Sequence, residues 1–335
     1  MRWLRRIAWP FSLLYGLVVN IRNILYDYGL LRSTAFATPT ICVGNLSVGG
    51  TGKTPMIEYL ITALQPKYKL AVLSRGYKRS SKGFVLAQKD STVATLGDEP
   101  FQIYQKFPDT ALAVDADRCN GIRELEKQLG PDLILLDDAY QHRRVNPTFA
   151  ILLTTFAKPY TEDWYLPTGD LRDARYAARR ADCIVVTKCP AALTASAMEA
   201  MAQKLAMHPS QPVVFATLVY DSYLYSENTK TPLQQWKQSP FTLVTGIANP
   251  TPLVDYLKAQ GLVFEHLAFP DHHNFSNQEL ALLSTKNNIV TTEKDYARLQ
   301  FKLAGLHYVK VAHSFLEGGD QLLLAALHQQ LKHRR

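Results

Sequence analysis

Short apolar runs alternate with stretches of helical periodicity along most of this chain. Runs at 40–43, 70–73, 111–114, 133–136, 149–153 and 183–187 are rich in aliphatic and β-branched residues. Between several of them, 55–64, 100–106 and 120–129 carry the spacing of helices. Strands this continuously apolar are buried on both faces, and helical crossovers between them imply a mostly parallel sheet. The expected fold is therefore α/β, with helices on both faces of the sheet and ligands at the carboxyl ends of its strands. After a further strand at 213–220, the polar stretch 226–240 is expected to be a connection. Strands at 241–245, 262–266, 288–291 and 307–311 then form a smaller C-terminal α/β unit. The expected division is 1–30, 31–225 and 226–335.

The chain opens on a different pattern. Arg2, Arg5 and Arg6 precede an apolar run at 7–21 that Arg22 closes. A spanning helix needs roughly 20 apolar residues, so the run is short for crossing a bilayer. No small-residue cleavage site follows it, which argues against a secretory signal. Leu4, Ile7, Phe11, Leu14, Val18, Ile21 and Leu25 recur at three-and-four spacing, the mark of an amphipathic helix. Two placements suit it: in a membrane interface, where each basic residue adds about 1 kcal/mol near anionic lipid, or against the domain's own core.

Composition narrows the partners. Hydrophobic residues at 47% and charged residues at 20% belong to a folded chain, not a disordered one. A net charge of +8 favours polyanions, whether nucleic acid, nucleotide phosphates or a membrane surface. No nucleic-acid-binding motif is present. Cys42, Cys119, Cys183 and Cys189 form no C-x-x-C pair, so they are expected to be reduced thiols rather than disulfides or zinc ligands.

The strand at 40–43 runs into Gly44-Asn45-Leu46-Ser47-Val48-Gly49-Gly50-Thr51-Gly52-Lys53-Thr54-Pro55 and then a helix. Strand, glycine-rich loop and helix start stand in the order of a P-loop. The expected nucleotide cradle is Ser47, Val48, Gly49, Gly50, Thr51, Gly52, Lys53 and Thr54. Loop N–H groups and the helix dipole would hold phosphate oxygens. Lys53 would reach the β- and γ-phosphates of ATP, and the Thr54 hydroxyl would ligate Mg²⁺. Ser47 stands where the motif's first glycine is usual, with Gly49 and Gly50 supplying flexibility nearby.

The strand at 133–136 ends in Asp137 and Asp138, roughly where a P-loop enzyme places its second magnesium contact. Adjacent side chains on a strand point to opposite faces, so one acid is expected to serve the metal and the other to orient Lys53 or a loop. Gln141 and His142 follow in the same cleft. Asp98 and Glu99 precede a helix, where acids commonly act only as caps. Asp271-His272-His273 has no third ligand at zinc spacing and suits a histidine held beside an acid. Thr292-Glu293-Lys294-Asp295 is a further charged cluster after a strand, explained almost as well as a solvated loop.

Taken in order, these motifs resemble the tetraacyldisaccharide 4'-kinase family, which phosphorylates the lipid A precursor. The resemblance also takes in Tyr15-Gly16, Arg22-Asn23, Ser74-Arg75-Gly76-Tyr77, Asp117-Arg118, Leu166-Pro167, Leu171-Arg172 and Gly246-Ile247-Ala248. It departs at Ala139, where the family often has Gly, and at Thr168-Gly169-Asp170, where Ala-Gly-Pro is usual. The resemblance implies a P-loop kinase domain, a smaller α/β domain, and ATP and Mg²⁺ as cofactors. It implies transfer of the γ-phosphate to the 4'-hydroxyl of tetraacyldisaccharide 1-phosphate, giving lipid IVA. Asp98 is then the base acting on the sugar hydroxyl with His272 paired to it, beside Lys53 and Asp138; Thr54, Asp137 and Asp138 face the metal. Asp173 is carried over as a further family position. The implied partners are the acylated lipid and the cytoplasmic face of the inner membrane, where the first helix docks peripherally. No nucleic acid and a monomeric chain are expected. The rival is a dimeric ATPase switch of the Gly-Gly-x-Gly-Lys class, but Val48 occupies the place of that class's signature lysine.

Overall fold

The computed structural model describes residue 5, residues 7–227 and residues 229–333. Arg2, Leu4 and Arg6 of the opening pattern lie outside them. The apolar runs form a single continuous sheet with the order β11-β10-β12-β13-β8-β7-β6-β1-β5-β2-β4-β3, and β9 pairs with β8 off this path. Its larger half comprises β1 (Thr40–Asn45), β2 (Leu70–Ser74), β3 (Val85–Leu86), β4 (Ala111–Val114), β5 (Leu133–Asp137), β6 (Phe149–Thr155) and β7 (Cys183–Thr187). All neighbours here pair in parallel except β3 with β4.

Alternation along these strands builds two cores. Cys42, Leu73, Ile134, Leu136, Leu152 and Val186 face one layer, which includes α5 (Arg118–Leu129). Ile41, Val43, Val72, Leu135, Ile151 and Val185 face the other, where α2 (Lys53–Leu64) and α4 (Asp98–Lys106) pack. A short helix, α3 (Val93–Leu96), leads into α4. Strands buried on both faces need apolar residues at every position, which is why these runs do not alternate in polarity.

β8 (Val213–Tyr225) joins the two halves. It pairs in parallel with β7 at its start and antiparallel with β13 (Leu306–Phe315) over most of its length. It runs further than the sequence suggested, so the smaller half grows from the same strand. There β10 (Phe241–Thr245), β11 (Phe264–Ala268), β12 (Ile289–Thr292) and β13 are parallel. The stretch at 226–240 is not a bare connection. It holds β9 (Lys230–Pro232) and a 3-10 turn that buries Leu233 and Trp236 in the smaller core. α7 (Thr251–Ala259), α8 (Asn277–Ser284) and α9 (Glu293–Leu299) cover that half. α6 (Ala195–Leu205) precedes β8, and α10 (Gly319–His333) returns to the larger core through Leu323, Leu327 and Leu331.

The first helix, α1 (Trp9–Asp27), is inverted relative to an ordinary surface helix. It buries Ser12, Gly16, Val19 and Asn23 against the body. Its large apolar residues point outward, with Phe11 69%, Leu14 61% and Val18 58% exposed. Polar contacts hold the inner face: Asn23 Nδ2 donates to Asp173 Oδ1 at 2.7 Å, and Ser12 Oγ donates to Thr168 Oγ1 at 2.8 Å. Asp173 is fully buried in this seam, where Arg180 also reaches it.

Candidate active site

The phosphate loop leaves β1 and closes at Gly52, whose φ of 85° is natural only to glycine. A side chain at Gly52 would also collide with the His313 ring, 2.9 Å from an ideal Cβ. The loop is braced from three sides. Val48 N–H donates to Asp170 O at 2.7 Å, Thr187 Oγ1 donates to Thr51 O at 2.8 Å, and His313 Nε2 lies 2.9 Å from Gly52 O. α2 then begins with Lys53 and Thr54, so their open N–H groups and the helix dipole face the loop's interior. The departure at Thr168-Gly169-Asp170 serves as a strut between this loop and the N-terminal segment, since Ser12 of α1 donates to Thr168 Oγ1 and Arg5, ahead of α1, donates to Asp170 Oδ1 at 2.6 Å.

Asp137 and Asp138 close β5 and diverge in environment. Asp137 is buried, and Ser74 Oγ donates to its Oδ2 at 2.8 Å. Burial first, then the charges of Glu99 and Asp138, push its carboxyl up to about 6. Asp138 turns through φ 46° toward the phosphate loop. Its Oδ1 lies 3.7 Å from Lys53 Nζ, and Arg172 grips both of its oxygens. Burial opposes ionisation here, but Lys53 and Arg172 outweigh it and hold Asp138 down at about 2. Asn45 Oδ1 accepts from Lys53 Nζ at 3.4 Å and from Arg172 Nη2 at 2.5 Å, aligning the two cations. Gln141 Nε2 donates to Asn45 O at 2.7 Å, and burial pushes His142 down to about 4.

Across the cleft, Asp98 is the first residue of α4 and caps nothing; Gly97 is the N-cap. An ideal Cβ on Gly97 would stand 2.8 Å from Tyr77 O, so glycine lets the 76–77 turn pack onto the helix start. Arg298 of α9 binds Asp98 through two bonds, Nε to Oδ1 at 2.9 Å and Nη2 to Oδ2 at 2.5 Å. His272 Nδ1 lies 2.8 Å from Asp98 Oδ2, and its Nε2 lies 3.0 Å from Lys294 Nζ. Arg298 Nη2 also stands 3.0 Å from Nδ1; with the Lys294 ammonium as the neighbour of Nε2, the tautomer that lets Nε2 accept places the proton on Nδ1, toward Asp98. Burial opposes the charge on Asp98, but the bonds from Arg298 and His272 keep its carboxyl below the ordinary range. Glu99, next to Asp98, links the two clusters: its charge acts on Asp137, and it lies 3.8 Å from Lys294.

The structure sorts the remaining motifs. His273 turns away to Glu279, 3.0 Å distant, and stacks on Phe269, so one of the paired histidines reaches the cleft. The cluster at 292–295 is not a solvated loop. Thr292 caps α9, Glu293 pairs with Lys106 at 2.9 Å, and buried Asp295 accepts from Gly246 N–H at 2.8 Å. Lys294 and Arg298 from the same helix line the cleft. Arg172, Arg298, Lys294 and Ser74 are site residues that sequence reasoning did not assign. Among the described residues, no three His, Cys, Asp or Glu side chains gather as a metal cage.

Residues 4–332 match the family model described as tetraacyldisaccharide-1-P 4'-kinase. The tetraacyldisaccharide 4'-kinase of Flavobacterium johnsoniae is 50% identical over 322 residues, 94% of each chain. That of Bacteroides thetaiotaomicron is 42% identical over 318 residues, 89% of this chain and 83% of its own. A crystal structure of LpxK from Aquifex aeolicus in complex with ATP superposes with a TM-score of 0.80 at 28% identity. That match covers 98% of this chain and 99% of the other.

Proposed function

The chain belongs to the tetraacyldisaccharide 4'-kinase family, and from that premise we propose that it phosphorylates the 4'-hydroxyl of tetraacyldisaccharide 1-phosphate at a membrane surface. The product is lipid IVA, an intermediate of lipid A synthesis. One observation supports the chemistry: the Lys53–Asp138 pair at the phosphate loop and the Asp98–His272–Arg298 cluster are linked through Glu99, which follows Asp98, acts on Asp137 and lies 3.8 Å from Lys294.

Lys53 and the N–H groups at the start of α2 bind the β- and γ-phosphates of ATP. Asp138 and Asn45 aim Lys53, and Arg172 locks Asp138 as a permanent anion. A magnesium ion suits the other carboxylate. Asp137 is buried beside negative neighbours, a surplus that a cation would relieve. Mg²⁺ takes only one or two carboxylates and fills its shell with water and phosphate, so no protein cage is needed. Asp137 and the Thr54 hydroxyl would hold it, and it would neutralise charge on the phosphates. Asp98 accepts the proton of the sugar hydroxyl as the oxygen–γ-phosphorus bond forms and the bond to ADP breaks. Its weak basicity suffices because phosphoryl transfer has a loose transition state that asks little of the base. His272 donates to Asp98 and holds it toward the acceptor.

The inverted α1 supports the membrane part of this reading. No helix among the described residues is long and apolar enough to cross a bilayer. Ile7, Phe11, Leu14, Val18 and Ile21 instead present a continuous exposed apolar face, fit to lie in the headgroup region where a four-chain substrate resides. Arg5 is committed to Asp170 and Arg22 donates to Gln141 O, so apolar burial rather than these arginines supplies the attachment.

The test is incubation with labelled ATP, Mg²⁺ and the disaccharide in mixed vesicles, followed by locating the new phosphate. Phosphate at the 4' position is expected. Asp98→Asn should lower kcat by at least roughly 10²-fold while ATP affinity stays within about threefold. Near wild-type turnover in that variant would remove Asp98 from the role of base.

A further inference from the structure

The chemistry above uses the side of the phosphate loop that faces β5. A second lysine stands on the other side. In the sheet β1 lies between β5 and β6, and β7 follows β6. At the carboxyl end of β7 the chain turns through Lys188 with φ 55°, a left-handed conformation uncommon for a residue bearing a side chain. The preceding residue, Thr187, is bonded to the loop at Thr51 O. Lys188 folds back so that its Nζ stands 3.9 Å from where a Cβ on Gly50 would be. Among the described residues Lys188 makes no hydrogen bond and no ion pair, unlike Lys53, Lys106, Lys158 and Lys294.

Sheet order gives the nucleotide a direction. The terminal phosphate must point toward Asp137, Asp138, Asp98 and His272, which lie on β5 and on elements beyond it or above it. The nucleoside must then leave the loop on the opposite side, over the ends of β6 and β7. Among the described residues Lys188 is an unpaired cation on that side, outside the turn whose amides converge on the phosphates. A lysine stem offers apolar surface and its ammonium is attracted to an aromatic face.

We propose that Lys188 seats the nucleoside half of ATP, its stem and ammonium lying across the face of the adenine beside Gly50. This rests on the ATP-dependent kinase reading and extends it to the base. Among the described residues, removal of the Lys188 side chain breaks no hydrogen bond and no ion pair.

Binding of MgATP and of inorganic tripolyphosphate to the full chain separates the possibilities. Lys188→Ala should weaken MgATP roughly tenfold, within the range of a cation–π contact, and leave tripolyphosphate unchanged. KM for ATP should rise by a similar factor with kcat falling much less, and Lys188→Arg should recover most of the loss. Unchanged ATP affinity in Lys188→Ala overturns the proposal. So does a parallel loss of tripolyphosphate binding, which would put the ammonium on the phosphates. A wild-type chain that bound neither ligand would instead bring down the kinase reading itself.

Discussion

Asp137 and Asp138 are adjacent in the chain and opposite in electrostatics, and each environment suits a different task. Asp138 meets two cations and stays ionised at any working pH, as a residue aiming Lys53 should. Asp137 sits in a dry, negative surrounding and titrates near 6. Protons and Mg²⁺ therefore compete for it. The ionised form prevails above about pH 6, and below that the apparent Mg²⁺ affinity should fall by up to about tenfold per pH unit. Measured Mg²⁺ dependence from about pH 5 to pH 8 checks this, and Asp137→Asn should raise the Mg²⁺ requirement and flatten its pH dependence. A wild-type Mg²⁺ constant that is flat over the range would argue against Asp137 as the metal residue. The two acids were legible as a strand end, but what separates them is not strand alternation: β5 stops at Asp137, and Asp138 leaves it through a left-handed turn. Lys53 beside Asp138 and His272 beside Asp98 were expected, whereas the arginines that hold these acids were not. Arg172 lies 34 residues from Asp138, and Arg298 lies 200 residues from Asp98, distances over which local pattern carries no register.

Strands were the most legible elements, because burial on both faces leaves an unbroken apolar signature. The stretch at 226–240 was less so, since Leu233 and Trp236 are isolated apolar residues in a polar run, and only the neighbouring β8 makes them a core. α1 is the instructive case. Its periodicity was plain, but a periodic apolar stripe is the same whether it faces a core or a bilayer. The deciding information is on the opposite face, where Ser12, Gly16 and Asn23 are small or polar and meet complementary groups on the body. Replacing Phe11, Leu14 and Val18 together by Ser should leave Tm within about 2 °C, because these side chains pack on little protein. Flotation with anionic vesicles should fall at least roughly tenfold, as three large apolar side chains no longer enter the interface. Undiminished flotation, or a Tm drop beyond about 5 °C, would mean that the stripe packs on protein.

At the scale of the whole molecule, charged groups join the two halves along α4 and α9, beside the apolar contacts of Ala297 and of Phe101 with Phe301. Asp98 joins Arg298 and His272 at one end of the seam. At the other, Lys106 lies 2.6 Å from Glu58 of α2 and 2.9 Å from Glu293 of α9. Three charged groups of net −1 in a nearly dry seam are costly, and Glu58 carries the strain. Burial first, then Glu293, push its carboxyl up to about 7. The folded chain thus holds a proton on Glu58 more tightly than the unfolded chain, whose ordinary value is near 4.5. The associated stability is present at low pH and is lost as pH rises from about 4.5 to about 7. Glu58→Gln keeps one acceptor oxygen for Lys106, turns an amide N–H toward Gln102, whose own amide oxygen can accept it, leaves Lys106 its bond to Glu293, and removes the excess charge. Its Tm at pH 8 should exceed that of the wild type by roughly 2–4 °C, with the difference shrinking toward pH 5. Scanning calorimetry at both pH values decides it. A variant less stable than wild type at pH 8 would show that the ion pair, not the surplus charge, dominates the seam.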